Sequence, residues 1–436
     1  MPRVDGARLV AFEVIRSVAE NDAYANLELS RLLRERALSG RDAALATELV
    51  GGTLRLQGSY DDILDRLAKG KLDPPVRDAL RLGTHQLLSM RVPTHAAVAT
   101  TVELVKTQIG HRPAGLVNAV LRKVSAQPLE EWLAGRSITA RTSHPQWIVD
   151  ALAEALDRPE ELEVLLAADN ERPGVVLVAR PGLCDPGELA GQPHPVSPYA
   201  VQLEGGDPGA LAAVREGRAG VQDAGSQLVA LLLARAELAG RDERWLDVCA
   251  GPGGKAALLG AIAAQRGARV LANERQPHRA ALVAQGVRAA RAGIAGVVAG
   301  DGTRPAWPES SFDRVLVDAP CSGLGALRRR PESRWRRSAA DVAELVPLQA
   351  DLLDSAFGAL RTGGVVAYAT CSPVVVETAS VVRDVLARRP DAVLEPATAY
   401  LEGIGDAESA HLRGAVQLWP HRHGTDAMFV ALLRRV

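Results

Sequence analysis

The sequence predicts an α/β protein in which a doubly wound parallel sheet follows an all-helical amino-terminal region. A short apolar strand, Trp245–Val248, runs through a glycine turn at residues 251–254 into a small-residue helix, Ala256–Ala264. Open α/β sheets bring their backbone close to a nucleoside in this way. Further strand-like segments follow at the spacing of alternating strands and helices, namely Arg269–Glu274, Val297–Asp301, Arg314–Cys321 and Gly363–Ser372. Up to about residue 138, apolar residues instead recur near the helical period of 3.6.

Length and composition narrow the class of protein. A chain of 436 residues holds two or three domains, and no apolar run approaches the roughly 20 residues that span a bilayer. The formal net charge of −1 gives no overall nucleic-acid signature, so RNA contacts must come from local basic patches. No CxxC pair is formed by the four cysteines, Cys184, Cys249, Cys321 and Cys371. We therefore expect a cytoplasmic protein with no metal site, no disulfide framework and no membrane contact.

Changes in composition divide the chain into three predicted domains. Residues 1–138 have the pattern of amphipathic helices, which a packing bundle without any binding role would also show. Residues 139–220 are rich in proline and contain one good strand, Val175–Ala179. We expect a small α+β module there, bridging the two larger domains. Residues 221–436 begin with a helix, Ser226–Leu238, that leads to the glycine turn and the parallel sheet.

Acidic residues end several of the predicted strands, at the edge where open α/β sheets bind ligands. These acids are Asp247, Glu274, Asp301 and Asp318. They favour a cofactor with hydroxyls, an amine and net positive charge, such as S-adenosyl-L-methionine, over a dinucleotide. A P-loop is excluded because the glycine turn ends in Lys255 and then an alanine, which offers no hydroxyl for magnesium. The glycine turn taken alone is equally compatible with a tight structural turn.

Three motifs stand in the order LDVCAGPGGK, DAPCSGLGALRRRPESRW and YATCS. Together they resemble the RNA cytosine-C(5) methyltransferases, and more narrowly the bacterial 16S rRNA methyltransferase B (Sun/Fmu) group. The helical region resembles the NusB-like RNA-binding domain of the same group through DAALATELVGGTLR, LRLGTHQLLSMRVPTHAAV and AGLVNAVLRKV. The resemblance implies a seven-stranded, Rossmann-like methyltransferase domain that binds S-adenosyl-L-methionine, and a reduced RNA-recognition-motif-like bridge. We expect a monomer that acts on 16S rRNA.

Methylation of cytosine carbon 5 needs a thiolate that adds to carbon 6, because carbon 5 is otherwise not nucleophilic. The resemblance implies that Cys371 is this nucleophile, that Cys321 assists product release, and that Asp318 donates a proton to N3. In DNA cytosine methyltransferases the cysteine of the Pro-Cys motif attacks instead. Either cysteine alone is more typical of core packing than of catalysis, but two cysteines at consecutive strand ends favour a catalytic pair.

The resemblance also implies which residues line the cofactor pocket. Glu274 is expected to take the ribose hydroxyls and Asp301 the adenine amine, although Asp301 is also typical of a turn acid. Lys255 is expected to pair with the methionine carboxylate or with Asp318, and Cys249 to contribute only its backbone. The full expected set is Cys249, Ala250, Gly251, Pro252, Gly253, Gly254, Lys255, Glu274, Asp301 and Asp318.

The chain departs from the usual residues of the family at three places. Alanine is common where Gly251 stands, aspartate is usual where Glu274 stands, and a DGFF-like segment is typical where this chain has GTDAMF (Gly424–Phe429). The first two changes keep the chemistry. The third affects the shape of the pocket for the target base.

A basic segment directly follows the DAPC motif and is expected to contact RNA. Phosphate contacts and stacking on an unpaired base suit this composition, although a charge run is often only a solvated face. The residues are Arg328, Arg329, Arg330, Arg334, Trp335, Arg336 and Arg337.

The sequence therefore predicts an S-adenosyl-L-methionine-dependent enzyme that makes 5-methylcytosine in 16S rRNA. The target cytosine must leave its stack to reach a cysteine. The same chemistry on tRNA is the alternative within this class of enzyme. A non-catalytic RNA-binding or assembly factor that keeps the fold is the alternative from another class, and the intact motifs weigh against it.

Overall fold

The computed structural model describes residues 5–68 and 70–436 and divides by contacts into two compact units. The first unit holds Met1–Asp150, Glu160–Arg172 and Leu327–Arg336. The second unit holds Ala151–Pro159, Pro173–Ala326 and Arg337–Val436. Residues 1–4 and Lys69, which fall in the region predicted to be helical, lie outside the described residues.

The first unit is built from helices, which confirms the prediction for the amino-terminal region. Asp5 caps the first helix by accepting a hydrogen bond from the Arg8 backbone N–H at 2.8 Å. The apolar faces pack into one core of leucine, valine and alanine side chains. In chain order the helices are α1 (Gly6–Asn21), α2 (Ala25–Glu35), α3 (Gly40–Arg55), α4 (Gln57–Leu67), α5 (Pro74–Leu88), α6 (Thr94–Gln108), α7 (Ala114–Val124), α8 (Leu129–Leu133), α9 (Ile138–Thr142), α10 (Gln146–Ala155), which spans the unit boundary, and α11 (Leu162–Ala168).

The second unit opens with a small antiparallel sheet in the proline-rich region. Its strands are β1 (Val176–Ala179), β2 (Gln192–Pro193), β3 (Ala200–Gln202) and β4 (Ala219–Val221), in the order β2-β3-β1-β4. Strand β1 is the one that the sequence predicted, shorter by one residue. Its four side chains are all buried, which explains why it is a continuous apolar run without alternation.

The second unit then forms a mixed sheet with nine strands rather than the seven expected. Strands β5 to β9 are parallel neighbours in the order β9-β8-β5-β6-β7, and β13 pairs antiparallel with β9. The two additional strands are short: β10 pairs with β13, and β11 forms a hairpin with β12. The strands are β5 (Arg244–Asp247), β6 (Arg269–Glu274), β7 (Ile294–Ala299), β8 (Phe312–Asp318), β9 (Leu360–Thr370), β10 (Ala392–Glu395), β11 (Glu408–Ser409), β12 (Leu412–Gln417) and β13 (Phe429–Arg435).

Helices cover both faces of the large sheet, as a doubly wound fold requires. One core layer packs the helices at residues 224–235 and 254–265 against the sheet, and another packs the helices at residues 339–359 and 379–388 against its opposite face. The helices are α12 (Ala212–Arg215), α13 (Ala224–Arg235), α14 (Gly254–Gln265), α15 (Pro277–Gly286), α16 (Ser333–Arg336, in the first unit), α17 (Ala339–Ala359), α18 (Ala379–Arg388) and α19 (Pro420–His423). Among residues 5–68 and 70–436, no helix is both long enough and apolar enough to span a membrane.

Candidate active site

The parallel strands β5 to β9 all end at one edge of the large sheet, and most of the predicted site residues lie there. Asp247, Glu274 and Asp318 are the last residues of β5, β6 and β8. Strand β8 ends before Cys321 because Pro320 lacks the N–H that a strand pairing would use, so this cysteine lies in a loop. Cys371 directly follows the end of β9. The order of strands thus brings the acids and both cysteines to the same edge.

The glycine turn after β5 depends on its second glycine residue. Gly253 has a φ of +112°, and a Cβ there would lie 3.2 Å from the Cα of Val283. An L side chain is strained in this conformation and has no room. The turn is also tied to the neighbouring strand, because the Ala250 N–H donates to the Asn273 carbonyl at 2.8 Å. Helix α14 then begins at Gly254.

A pair of acids and one lysine form the charged centre of the site. Asp247 is completely buried, and burial together with the charge of Asp318 raises its pKa to about 8. Among the described residues its Oδ2 has no hydrogen-bond partner. Lys255 Nζ donates to Asp318 Oδ2 at 2.8 Å. Burial lowers the pKa of Lys255. The charge of Asp318, the hydrogen bond to Asp318 and the charge of Cys371 together outweigh burial, so the pKa is raised.

These residues fit a cationic nucleoside cofactor. An unpartnered, buried carboxyl oxygen at a strand end offers an acceptor for an amine or a nearby positive charge. The adjoining turn presents backbone rather than side chains. The group that fits the acids, the turn and Lys255 together carries an amine, a carboxylate and a positive charge.

Glu274 and Gly251 share the same space. Glu274 is nearly buried, and its Oε1 accepts from the Gln276 N–H at 3.0 Å. A Cβ on Gly251 would lie 2.0 Å from Glu274 Oε2 and 2.8 Å from Arg279 Nη2. Arg279, which the sequence reasoning missed, holds the turn by donating to the Gly251 carbonyl at 3.0 Å. Glycine at 251 and glutamate at 274 therefore belong together in this chain.

Gly251→Ala is expected to weaken cofactor binding by about 10-fold, because the new methyl group displaces the Glu274 carboxylate. Glu274→Asp in the same chain removes one methylene and makes room for that methyl group. The double variant is therefore expected to recover most of the lost affinity, which isothermal titration with S-adenosyl-L-methionine measures. Strictly additive losses in the two single variants and the double variant would contradict this coupling.

Asp301 lies just beyond β7 and is held in a turn. Its Oδ1 accepts from the Thr303 N–H at 3.0 Å and from the Thr303 hydroxyl at 2.8 Å. These two hydrogen bonds lower the pKa of the Asp301 carboxyl. Asp301 therefore stabilises a turn in the structure, and its contact with the adenine amine remains a prediction.

The two predicted catalytic cysteines are adjacent in space. Their Sγ atoms are 3.4 Å apart. The hydrogen bond with Cys371, followed by burial, raises the pKa of Cys321 well above its usual value. Burial and then the charge of Asp247 likewise raise the pKa of Cys249, which keeps this third cysteine protonated.

The GTDAMF segment leads into β13 and contacts the loop that carries Cys321. The Gly325 N–H donates to the Cys371 carbonyl at 2.9 Å, and the Ala427 N–H donates to the Gly325 carbonyl at 2.8 Å. A Cβ on Gly325 would lie 2.0 Å from the Ala427 oxygen. The departure from the family pattern at residues 424–429 therefore lies next to both cysteine loops.

The basic segment is only partly a surface feature. Leu327–Arg336 belongs to the first unit, where Arg334 is completely buried and Arg328 is nearly so. Trp335 is 39% exposed, and its ring packs where a Cβ on Gly58 would lie. Arg330 and Arg337 are exposed. We therefore no longer expect Arg334 to contact RNA, because burial removes its side chain from the surface.

Arg334 instead ties together the ends of several helices. Its Nη1 donates to the Arg55 carbonyl at 2.6 Å, where α3 ends, and to Asn170 Oδ1 at 2.7 Å. Its Nη2 donates to the Asp169 carbonyl at 2.8 Å, where α11 ends. Carbonyls at helix carboxyl termini lack partners within the helix and carry partial negative charge. A cation is therefore favourable at this place.

His144 lies in the same cluster and makes this unit sensitive to acid. Burial, followed by the charge of Arg334, lowers the pKa of His144 to about 4. The unfolded chain binds a proton on His144 more tightly than the folded chain does. The contribution of neutral His144 to the free energy of unfolding is therefore complete above about pH 6.5 and is lost as the pH falls toward 4. The expected loss is about 3 kcal/mol, measured by urea unfolding. His144→Gln should flatten the dependence of this free energy on pH, whereas the same change at exposed His95 should not. Equal slopes of the free energy against pH in both variants would contradict the role of His144.

Comparisons with known proteins agree with this geometry. Residues 236–434 match the family model of the 16S rRNA methyltransferase RsmB/F, and residues 5–126 match the NusB family. The putative methyltransferase Rv1407 of Mycobacterium tuberculosis is 50% identical over 454 residues, covering 99% of this chain and 97% of that protein. The ribosomal RNA small subunit methyltransferase B of Salmonella heidelberg is 36% identical over 412 residues, covering 90% of this chain and 93% of that protein.

A solved structure supports the same fold across the whole chain. The crystal structure of PH0851 has a TM-score of 0.81 and 22% sequence identity, and covers 99% of each chain. Sheet, glycine turn and relatives together define the class of S-adenosyl-L-methionine-dependent RNA methyltransferases. Within this class the chain belongs to the RsmB/F family of methyltransferases, with a NusB domain before the catalytic domain. Among the described residues, no group of side chains is arranged to hold a metal ion.

Proposed function

We propose that this enzyme methylates carbon 5 of a cytosine in 16S rRNA through a covalent bond between Cys371 and carbon 6 of the base. The observation that carries this proposal is the pair of sulfurs 3.4 Å apart at the ends of adjacent strands. The Lys255–Asp318 ion pair stands at the same edge. A second thiol directly beside the attacking one has a natural use in a reaction that must both form and break a carbon–sulfur bond.

S-adenosyl-L-methionine supplies a methyl group bound to a positively charged sulfur. Residues 249–255, which include the glycine turn, would hold its methionine and ribose part, and Glu274 would bind the ribose hydroxyls. Asp301 would approach the adenine amine. Asp247, whose Oδ2 has no partner among the described residues, would offer a buried acceptor close to the positive charge.

The chain's own groups then account for each step on the base. The Cys371 thiolate adds its electron pair to carbon 6, and the displaced pair makes carbon 5 nucleophilic. Asp318 passes to N3 a proton that it takes from Lys255, whose Nζ donates to Asp318 Oδ2 at 2.8 Å. Carbon 5 takes the methyl group, and the bonding pair stays on the sulfur of the donor. Water takes the proton from carbon 5, and the electrons of that bond restore the double bond between carbons 5 and 6 while the Cys371 thiolate leaves with the carbon–sulfur pair. N3 returns its proton through Asp318 to Lys255, which completes the aromatic ring.

The two cysteines divide the work of bond formation and bond breaking. The positive charge of Lys255 lies near enough to Cys371 for the two charges to interact, which favours a thiolate there. The hydrogen bond with Cys371 and burial raise the pKa of Cys321, and its sulfur lies 3.4 Å from the sulfur whose bond to carbon 6 must later break. We assign Cys321 to product release for this reason.

The RNA substrate is inferred from surface chemistry and from the relatives. Exposed Arg330 and Arg337 can contact phosphates, and the partly exposed ring of Trp335 can stack on an unpaired base. Relatives that cover most of the chain are named as small-subunit ribosomal RNA methyltransferases. The target cytosine must be unpaired or flipped out to reach Cys371.

The proposal is tested by giving the purified protein S-adenosyl-L-methionine with a labelled methyl group and unmodified 16S rRNA or tRNA. We expect label in 16S rRNA alone, and 5-methylcytidine as the labelled nucleoside after digestion. Label in tRNA alone would assign the same chemistry to the other substrate. Cofactor binding without methyl transfer to either RNA would overturn the catalytic proposal in favour of an RNA-binding factor.

A further inference from the structure

A fully buried carboxylate, Glu377, lies behind the two cysteine loops. It ends the short 3₁₀ helix Val375–Glu377 that follows β9. Its Oε1 accepts from the Ser322 backbone N–H at 2.8 Å and from Gln349 Nε2 at 3.0 Å. Its Oε2 accepts from the hydroxyl of Ser322 at 2.5 Å and from that of Ser372 at 2.6 Å. Four donors therefore satisfy both oxygens of the carboxyl group.

All four of these donors are uncharged, which is an expensive way to bury a negative charge. Removing a carboxylate from water costs several kcal/mol, and neutral hydrogen bonds offset this cost only when they are complete and well aligned. Such a group contributes little net stability compared with an apolar side chain of the same size. Its position is therefore better explained by what it holds in place.

The partners of Glu377 belong to both cysteine loops. Ser322 directly follows Cys321, and Ser372 directly follows Cys371. Gln349 on α17 also donates to the Pro320 carbonyl at 2.9 Å, so the chain is held on both sides of Cys321. One side chain thus bridges two loops that are about 50 positions apart in the sequence.

We propose that Glu377 is a positioning residue that clamps the Cys321 loop to the Cys371 loop and sets the placement of the two sulfurs. This inference rests on the proposed catalytic use of both cysteines. Displacement of a reacting group by about 1 Å lowers rates by about 10²-fold, so a clamp of this kind matters for catalysis even without touching the substrate.

The charge of Glu377 has a second consequence for the same pair. After the hydrogen bond to Cys371 and burial, this charge is a further cause of the raised pKa of Cys321. It therefore favours the protonated form of Cys321. The geometry and the charge of Glu377 thus act in the same direction.

Glu377→Gln tests the inference because it keeps the shape of the side chain and removes its charge. We expect kcat for methyl transfer to fall by about 10²-fold with no change in the KM for S-adenosyl-L-methionine. In the free protein, alkylation of Cys321 by iodoacetamide, followed by peptide mass spectrometry, should begin at a lower pH than in the wild type. If this variant does not fold, Ser372→Ala removes a single donor and carries the same expectation for kcat.

Asp313→Asn is the matched control for a merely structural effect. Asp313 is also completely buried, but it lies near the start of β8 and accepts hydrogen bonds from the Glu243 and Arg244 N–H groups at 2.8 Å. This control should lower the melting temperature without moving the alkylation profile of Cys321. An unmoved profile or an unchanged kcat in Glu377→Gln would overturn the positioning role. Absence of methyl transfer in the wild type would instead refute the proposed function, and the alkylation profile would still decide the clamp.

Discussion

Cys371→Ala is expected to lower methyl transfer by about 10⁴-fold or more and to abolish any protein–RNA adduct that survives denaturant. Without the thiolate, carbon 6 has no nucleophile and carbon 5 is not activated. Cys321→Ala is expected to have the opposite effect on the adduct. The carbon–sulfur bond still forms at Cys371, but its release is slowed, so the adduct accumulates while turnover falls.

These two variants are compared by denaturing gel electrophoresis and methyl transfer on the same RNA. Cys184→Ala is the matched control, because Cys184 is a buried cysteine in the core of the small sheet. It should retain both methyl transfer and the wild-type amount of adduct. The reverse pattern, with the adduct lost in Cys321→Ala and accumulated in Cys371→Ala, would assign the attack to the cysteine of the Pro-Cys motif.

Arg334→Met is expected to destabilise the first unit by about 3 kcal/mol. The substitution keeps most of the side-chain volume but removes the donors to the Arg55 and Asp169 carbonyls and to the Asn170 amide. Each buried acceptor left without a partner costs about 1–3 kcal/mol. Burial lowers the pKa of Arg334 only to about 10, so it is a cation at neutral pH and its charge is also lost.

Arg337→Met is the control for this prediction because Arg337 is exposed. Its free energy of unfolding in urea should stay within about 0.5 kcal/mol of the wild type, whereas its affinity for RNA should fall and depend less steeply on salt. If Arg334→Met is as stable as the wild type and only loses RNA affinity, Arg334 contacts RNA and does not stabilise the first unit.

Local patterns in the sequence were sufficient for the general architecture. Helical periodicity predicted the first unit, and the apolar segments before Gly251 and before Glu274 predicted β5 and β6 nearly to the residue. Strand ends were less certain where apolar residues continue into loops. The segment predicted to extend to Cys321 ends at Asp318, because pairing stops before the proline and no periodicity signals such a stop.

The sequence by itself determined the family of the chain and the cysteines and acids to consider, because these residues stand in short motifs at strand ends. Only the tertiary structure decided that Arg334 is buried rather than available to RNA, since its partner Arg55 lies 279 positions away. The same holds for Glu377, whose partner Ser322 is 55 positions away. Local periodicity reports which face of an element is apolar, but not which distant polar groups meet when those faces pack.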